Sequence, residues 1–208
     1  MRVISSEAEA KLGFSTAYAY ADDRMRPDLV AWDCGAGSFQ LTSRTHHHAD
    51  CHGSGTMKHR GLARSDKHGR ISSQGVQDLL SELRRDLAPI PQWLHAPTHQ
   101  FVAIGSATSI FNQMQRMSGL QTFGVADVEA ALATVTGLDH REIFELERQR
   151  DAEAGNDNAP YVVGKLSLLL TVMRQCAMDR VQFNMVQGNC TGLLSDSSLW
   201  NVFDGEQS

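Results

Sequence analysis

The sequence predicts an α/β fold: a mixed five-stranded sheet flanked by helices, carried on one lobe over residues 1–204. Three observations predict it. The apolar run Leu29-Val30-Ala31-Trp32 ends on Asp33 and a small-residue turn, and extended character resumes at Ser38. A second short apolar run, Phe101-Val102-Ala103-Ile104, leads through Gly105-Ser106 into a helical pattern. A long apolar helix then precedes an alternating segment at 180–185. Strands joined by a tight turn form an antiparallel hairpin, whereas strands separated by helix-length segments form parallel crossover units.

Each element follows in order. Residues 6–21 read as a helix, with Ser6 as N-cap and Glu9 three positions on, the spacing of a capping box. Residues 29–34 and 38–43 are the hairpin strands. Residues 44–72, rich in His, Gly and Ser, form a polar loop or an edge strand. From Ser73, Val76, Leu79, Leu80, Leu83 and Leu87 repeat at helical spacing until Pro89 and Pro91 end the run. The strand at 101–104 is followed by a helix opened by Gly105-Ser106 and carrying Ile110, Phe111, Met114 and Met117. Residues 126–134 and 140–150 are two further helices, the second capped by Asp139, inside a helical insertion spanning 120–160. A polar link at 151–160 leads to a central helix at 161–178, a strand at 180–185, a turn at Gly188-Asn189 and a short helix at 191–194. The tail at 205–208 is frayed. This order is that of a ribonuclease-H-like lobe with an inserted helical pair.

The composition narrows the function. Nineteen Lys and Arg against 24 Asp and Glu give a net charge of −5, which argues against DNA as a partner. An anionic ligand therefore needs a local positive or metal-filled site. Cys34, Cys51, Cys176 and Cys190 show no paired spacing, so a reducing cytoplasm is expected rather than a disulfide framework. The longest apolar run, 166–173, is too short to span a bilayer, and no signal-peptide pattern opens the chain.

The chemistry concentrates at the first hairpin. Gly35, Ala36, Gly37 and Ser38 are small enough for backbone N–H groups to approach phosphate oxygens; the same residues also suit a hairpin turn with positive φ. Asp33 at a strand end holds Mg²⁺ or is an ordinary turn aspartate. Gly105 and Ser106, between strand and helix, are a second anion-binding position. The run His46-His47-His48-Ala49-Asp50-Cys51-His52, with His59 and His68 beyond, is either a solvated loop or a Zn²⁺, Ni²⁺ or Cu²⁺ site.

These segments resemble one family. Val3-Ile4-Ser5-Ser6-Glu7-Ala8-Glu9-Ala10-Lys11-Leu12 is similar to its Val-Ile-Ser-Gly-x-Glu-Glu-Ala-Arg-Leu segment. Asp33 to Gln40 is similar to its Asp-x-Gly-Gly-Gly-Ser-x-Glu hairpin. Residues 101–109 resemble its strand and Gly/Thr turn, and Val163-Gly164-Lys165-Leu166 with Gly188 to Leu194 its closing elements. The family is that of the exopolyphosphatases and guanosine pentaphosphate phosphohydrolases (Ppx/GppA), within the actin-like ATPase superfamily.

The resemblance implies hydrolysis of terminal phosphoanhydride bonds of polyphosphate or guanosine pentaphosphate with Mg²⁺ (or Mn²⁺). It makes Glu9 the catalytic base, unless Glu9 serves the helix cap. Gln40 holds the water, Asp33 the metal, and Gly35 to Ser38 with Gly105 and Ser106 the phosphates. It also implies that this chain matches the family's second lobe, the first being absent or supplied by another chain. Self-association through the uncovered face around residues 6–21 is expected. Gln40 replaces the family's acid, as in the nucleoside triphosphate diphosphohydrolases, and Cys190-Thr191 replaces its Arg-Glu pair. The alternatives are a non-catalytic nucleotide-, polyphosphate- or partner-binding module, and metal binding by the His-rich loop.

Overall fold

Alternating side chains along two neighbouring strands divide the molecule into layers. The computed structural model of the chain describes residues 5–150, 160–186 and 192. In it β1 (Leu29–Cys34) and β4 (Gln100–Gly105) run parallel, with Trp32 opposite Ala103. Successive strand residues point to opposite faces. Leu29, Ala31, Val102 and Ile104 therefore pack on Ala17 of α1 (Ser6–Tyr20) and on Ala21, its C-cap. Val30, Trp32, Phe101 and Ala103 enter the larger core on the other side.

Among the described residues the sheet has six strands in the order β3-β2-β1-β4-β6-β5, one more than the sequence predicts. β2 (Phe39–Thr42) is antiparallel to β1, and β3 (His47–Asp50) is antiparallel to β2. β6 (Val181–Met185) runs parallel to β4. The additional strand, β5 (Thr122–Phe123), pairs antiparallel with β6; two residues are too few to leave a periodic signal. The polar 44–72 segment supplies the edge strand β3 and also a seven-residue helix, α2 (Thr56–Leu62), that the sequence pattern does not predict.

The larger core lies under α3 (Ser73–Asp86), α4 (Ile110–Ser118), α5 (Val125–Val135) and α7 (Val162–Gln175), with Ile143 of α6 (His140–Arg150) at its margin. Trp32 is fully buried at its centre, edge-on to Phe111 at 5.0 Å between ring centroids. Met114, Met117, Met173 and Met178 fill the same core. Every residue of α7 from Val162 to Met173 is buried. α7 ends earlier than predicted: Ala177 turns left-handed (φ 50°), and the Met178 N–H returns to the Met173 carbonyl.

Two helix starts differ in what they show. Asp139 caps α6 as expected, its Oδ1 accepting from the Arg141 and Glu142 amides. The cap of α1, however, is Ser5 rather than Ser6; its Oγ accepts from the Ala8 amide at 3.2 Å. The capping box places the partner acid three residues after the cap. A cap at Ser5 puts Ala8 there, so Glu9 is outside the box. The expected link at 151–160 apart from Pro160, the turn at 188–189, the last helix at 191–194 apart from Gly192, and the tail at 205–208 lie outside the described residues. Among the described residues no helix is long and apolar enough to cross a membrane.

Candidate functional site

Because β1 and β4 are adjacent and parallel, the turns that follow them sit side by side at the carboxyl end of the sheet. That end is where open α/β sheets bind ligands. In the first turn, Gly35 N–H donates to the Ser38 carbonyl at 2.9 Å. The Gly35 carbonyl accepts from the Ser54 amide (2.8 Å) and hydroxyl (3.1 Å), and the Ala36 carbonyl from the Gly55 amide (2.8 Å). The amides of Ala36, Gly37 and Ser38 have no acceptor among the described residues. Carbonyls tied inward and N–H groups left over are the arrangement that an anion would need at this turn.

Neither Gly35 nor Gly37 has positive φ, so the backbone does not require glycine at either position. A β-carbon at Gly37 would meet nothing within 4 Å. Gly53, which sequence reasoning passed over, is the sterically demanding position, since its β-carbon would fall 2.5 Å from the Ala36 carbonyl carbon.

The second turn repeats the arrangement. Gly105 ends β4 and does not open a helix; α4 begins at Ile110 behind the N-cap Ser109. A β-carbon at Gly105 would lie 2.6 Å from Ser109 Cβ, so this glycine allows the close approach of strand and cap. The Ser106 carbonyl accepts from the Ser109 amide (3.0 Å), that of Ala107 from Asn112 Nδ2 (2.7 Å) and that of Thr108 from Lys165 Nζ (3.0 Å). The amides of Ser106 and Ala107 have no acceptor among the described residues.

Side chains of the α1 face complete the site. Asp33 and Gln40 are register partners across the hairpin. Their neighbours Trp32, Cys34, Phe39 and Leu41 face the larger core, so alternation turns Asp33 and Gln40 toward α1. Gln40 is buried and its Nε2 donates to Ser38 Oγ at 3.5 Å. Glu9, half-buried, lies on the four-residue stripe that continues through Gly13, Ala17 and Ala21, the last two packed on the sheet. By donor chemistry all three carry side-chain oxygens of the kind that Mg²⁺ or Mn²⁺ takes. Asn184 was missed by sequence reasoning. It pairs with Ile104, which pairs with Asp33, and its buried Nδ2 has no partner among the described residues.

Beneath the turns, on the core side, burial pushes the Cys34 thiol up to about 12, with the Asp33 charge adding to it. Cys34 is therefore no nucleophile at neutral pH. Lys165 is 3% exposed, and burial pulls its ammonium down to about 8, opposed by Glu147 and Cys34. Its sequence signal was available: it is the one charged residue between 162 and 173.

The His-rich segment does not converge. His46 stacks on Trp93 at 5.4 Å, His47 is exposed, and His48 packs beside Phe39. Within this segment Asp50, Cys51 and His52 alone bring three metal-capable ligand atoms together, within 4.8 Å of one another. There His52 Nδ1 meets Asp50 Oδ1 at 2.5 Å and Nε2 faces Arg60 Nη2 at 3.0 Å. Asp50 Oδ2 accepts from the Ala88 amide at 2.7 Å. Both ring nitrogens already have partners, and the neighbouring guanidinium opposes a cation.

No protein-family model matches this sequence. No curated protein matches it either. Solved structures do. An exopolyphosphatase-like protein aligns with a TM-score of 0.71 at 13% identity, over 97% of this chain and 69% of its own. A Ppx/GppA family member from Aquifex aeolicus aligns at 0.69 and 12% identity, over 100% of this chain and 66% of its own. An exopolyphosphatase from Cytophaga hutchinsonii aligns at 0.66 and 14% identity, over 99% and 66%. The chain thus spans about two thirds of the length of the structures it matches, and over that length its fold is that of the exopolyphosphatase and Ppx/GppA structures.

Proposed function

We propose that this lobe grips a chain of phosphates and takes part in hydrolysing its terminal phosphoanhydride bond, with inorganic polyphosphate or guanosine pentaphosphate as substrate. The observation that carries the reading is the pair of adjacent turns whose carbonyls are tied inward while the amides of Ala36, Gly37, Ser38, Ser106 and Ala107 are left for a ligand. Phosphoryl transfer needs chiefly positioning and charge stabilisation, which such amides supply.

In this reading Glu9 takes a proton from the attacking water, a role its absence from the capping box leaves open. Gln40 orients that water from the opposite strand. Asp33, on the same α1 side of the sheet as Glu9, would hold Mg²⁺ or Mn²⁺; bound there, that ion would neutralise charge on the phosphate oxygens. An opposing surface that closes over the turns completes the clamp. The half-buried Phe14 and Tyr18, with exposed Tyr20, make the α1 side a candidate for that contact or for self-association. The test is phosphate release from polyphosphate with Mg²⁺, comparing wild type with Glu9→Gln. The reading expects release from wild type and its loss in the variant, and equal rates remove Glu9 from the mechanism.

Gln40 supports a second reading. An amide in place of an acid binds a divalent cation less strongly, and here it is already bonded to Ser38. A lobe that binds phosphate chains without cleaving them fits the same turns. Calorimetry that finds tripolyphosphate binding, with no phosphate released under any condition, selects it.

A further inference from the structure

Lys165 is the one lysine or arginine that is buried among the described residues. α7 carries it beneath the seam between the two turns. Gly164, just before it, lies so close to α2 that a β-carbon there would be 2.6 Å from the Met57 carbonyl oxygen. The position of Lys165 is therefore fixed by helix packing. Its Nζ donates to the Thr108 carbonyl at 3.0 Å and stands 5.7 Å from the centre of the Tyr161 ring. Lys58 of α2 places its Nζ 4.8 Å from the same ring, so two ammonium groups meet at one aromatic side chain. Among the described residues, Glu147 from α6, Arg116 from α4 and Cys34 from β1 act on its charge.

Burying an ammonium is costly, and an unbranched apolar side chain would fill the same space without that cost. The charge does something an apolar residue cannot. It holds the Thr108 carbonyl inward, and with the Ser106 and Ala107 carbonyls also engaged, the backbone of the turn offers a ligand N–H groups rather than carbonyls. Resting on the reading of the two turns as a phosphate site, we propose that Lys165 is a positioning residue of that site: it clamps the 106–109 turn through Thr108, so that the turn presents its backbone amides to polyanionic phosphate chains.

The probe is inorganic tripolyphosphate, titrated calorimetrically at pH 7 and pH 9.5 into wild type, Lys165→Arg and Lys165→Met, each checked for folding by circular dichroism. Lys165→Met is expected to weaken binding at pH 7 by about tenfold or more, the loss of one charge-assisted contact. Lys165→Arg is expected to rescue it. Wild type should fall toward the Met variant by pH 9.5, as its ammonium deprotonates near 8, while the Arg variant should not. A folded Met variant with wild-type affinity at both pH values overturns the proposal. If the Met variant does not fold, identical pH profiles for wild type and Lys165→Arg overturn it instead. Wild type that binds no tripolyphosphate at either pH removes the phosphate site itself, and the role of Lys165 with it.

Discussion

Gly53 lies against Ala36 so closely that a β-carbon on the glycine would fall 2.5 Å from the Ala36 carbonyl carbon and carbonyl oxygen. This contact is what lets the Ser54 and Gly55 amides reach the hairpin carbonyls and turn them inward. Gly53→Ala is expected to destabilise the protein by about 1–3 kcal/mol in urea unfolding, because backbone must move. Gly37→Ala should change stability by only about 0.5 kcal/mol, since its methyl meets nothing. That same methyl would crowd the outward amides, so Gly37→Ala should weaken tripolyphosphate binding. The reverse ranking in stability would mean the hairpin is not buttressed as described.

Ser5 and Glu9 separate stability from chemistry. Ser5→Ala removes the cap of α1 and should cost about 1 kcal/mol. Glu9→Gln should leave the melting temperature unchanged while phosphate release is lost. A Glu9→Gln variant that melts as early as Ser5→Ala would return Glu9 to a structural role.

Asp50 serves structure. Its carboxylate accepts from the Ala88 and His52 amides and meets the His52 ring. Asp50→Ala strands those donors and should cost about 2–4 kcal/mol. Replacing His46, His47 and His48 together by Ala should leave Zn²⁺ binding, measured by competition with a chromophoric chelator, no weaker than in wild type. A marked loss would revive the metal reading of this segment.

The buried thiols make stability fall in alkali. Cys34 and Cys176 are both pushed from the ordinary 9.0 up to about 12, by burial first. Their contribution is therefore complete below pH 9 and is lost between 9 and 12, as the unfolded chain's thiols ionise and the folded ones do not. The loss by pH 10.5 is on the order of 2 kcal/mol per thiol. Urea unfolding of the Cys34→Ala, Cys176→Ala double variant should show a shallower decline than wild type; parallel curves would contradict the burial of these groups.

Lys165 works in the opposite sense. Its pKa is lowered, so its buried charge opposes folding below pH 8, and that penalty lifts as pH rises from about 8 toward the ordinary 10.5. The stability of wild type relative to Lys165→Met should therefore rise by on the order of 3 kcal/mol between pH 7 and 10.5. A difference that stays flat with pH would show that Lys165 is solvated.

The strands were legible because β1, β2 and β4 each carry an apolar pattern next to a turn of small residues, and α3 because Val76, Leu79 and Leu83 repeat on one face. What stayed hidden is short or set by tertiary contact. β5 is two residues long. α2 has no side-chain cap and follows Gly55. Adjacent serines at 5 and 6 made the cap ambiguous by one residue, and that residue decides whether Glu9 belongs to it. Gly105 read as a helix opening because a glycine after a strand suits both an anion-binding turn and a tight approach; the contact with Ser109 cannot be seen in sequence. Asp33 and Gln40 could be placed on one face from alternation alone, whereas the inward clamping of the turn carbonyls by Ser54 and Lys165 depends on residues far away in the chain.

The central claim, that the two turns form one phosphate-binding surface, is tested most directly by backbone amide NMR during titration with inorganic tripolyphosphate and Mg²⁺. The account predicts saturable shifts concentrated at Ala36, Gly37, Ser38, Ser106 and Ala107. Saturation that leaves those five amides unmoved, or moves only residues elsewhere, would contradict it.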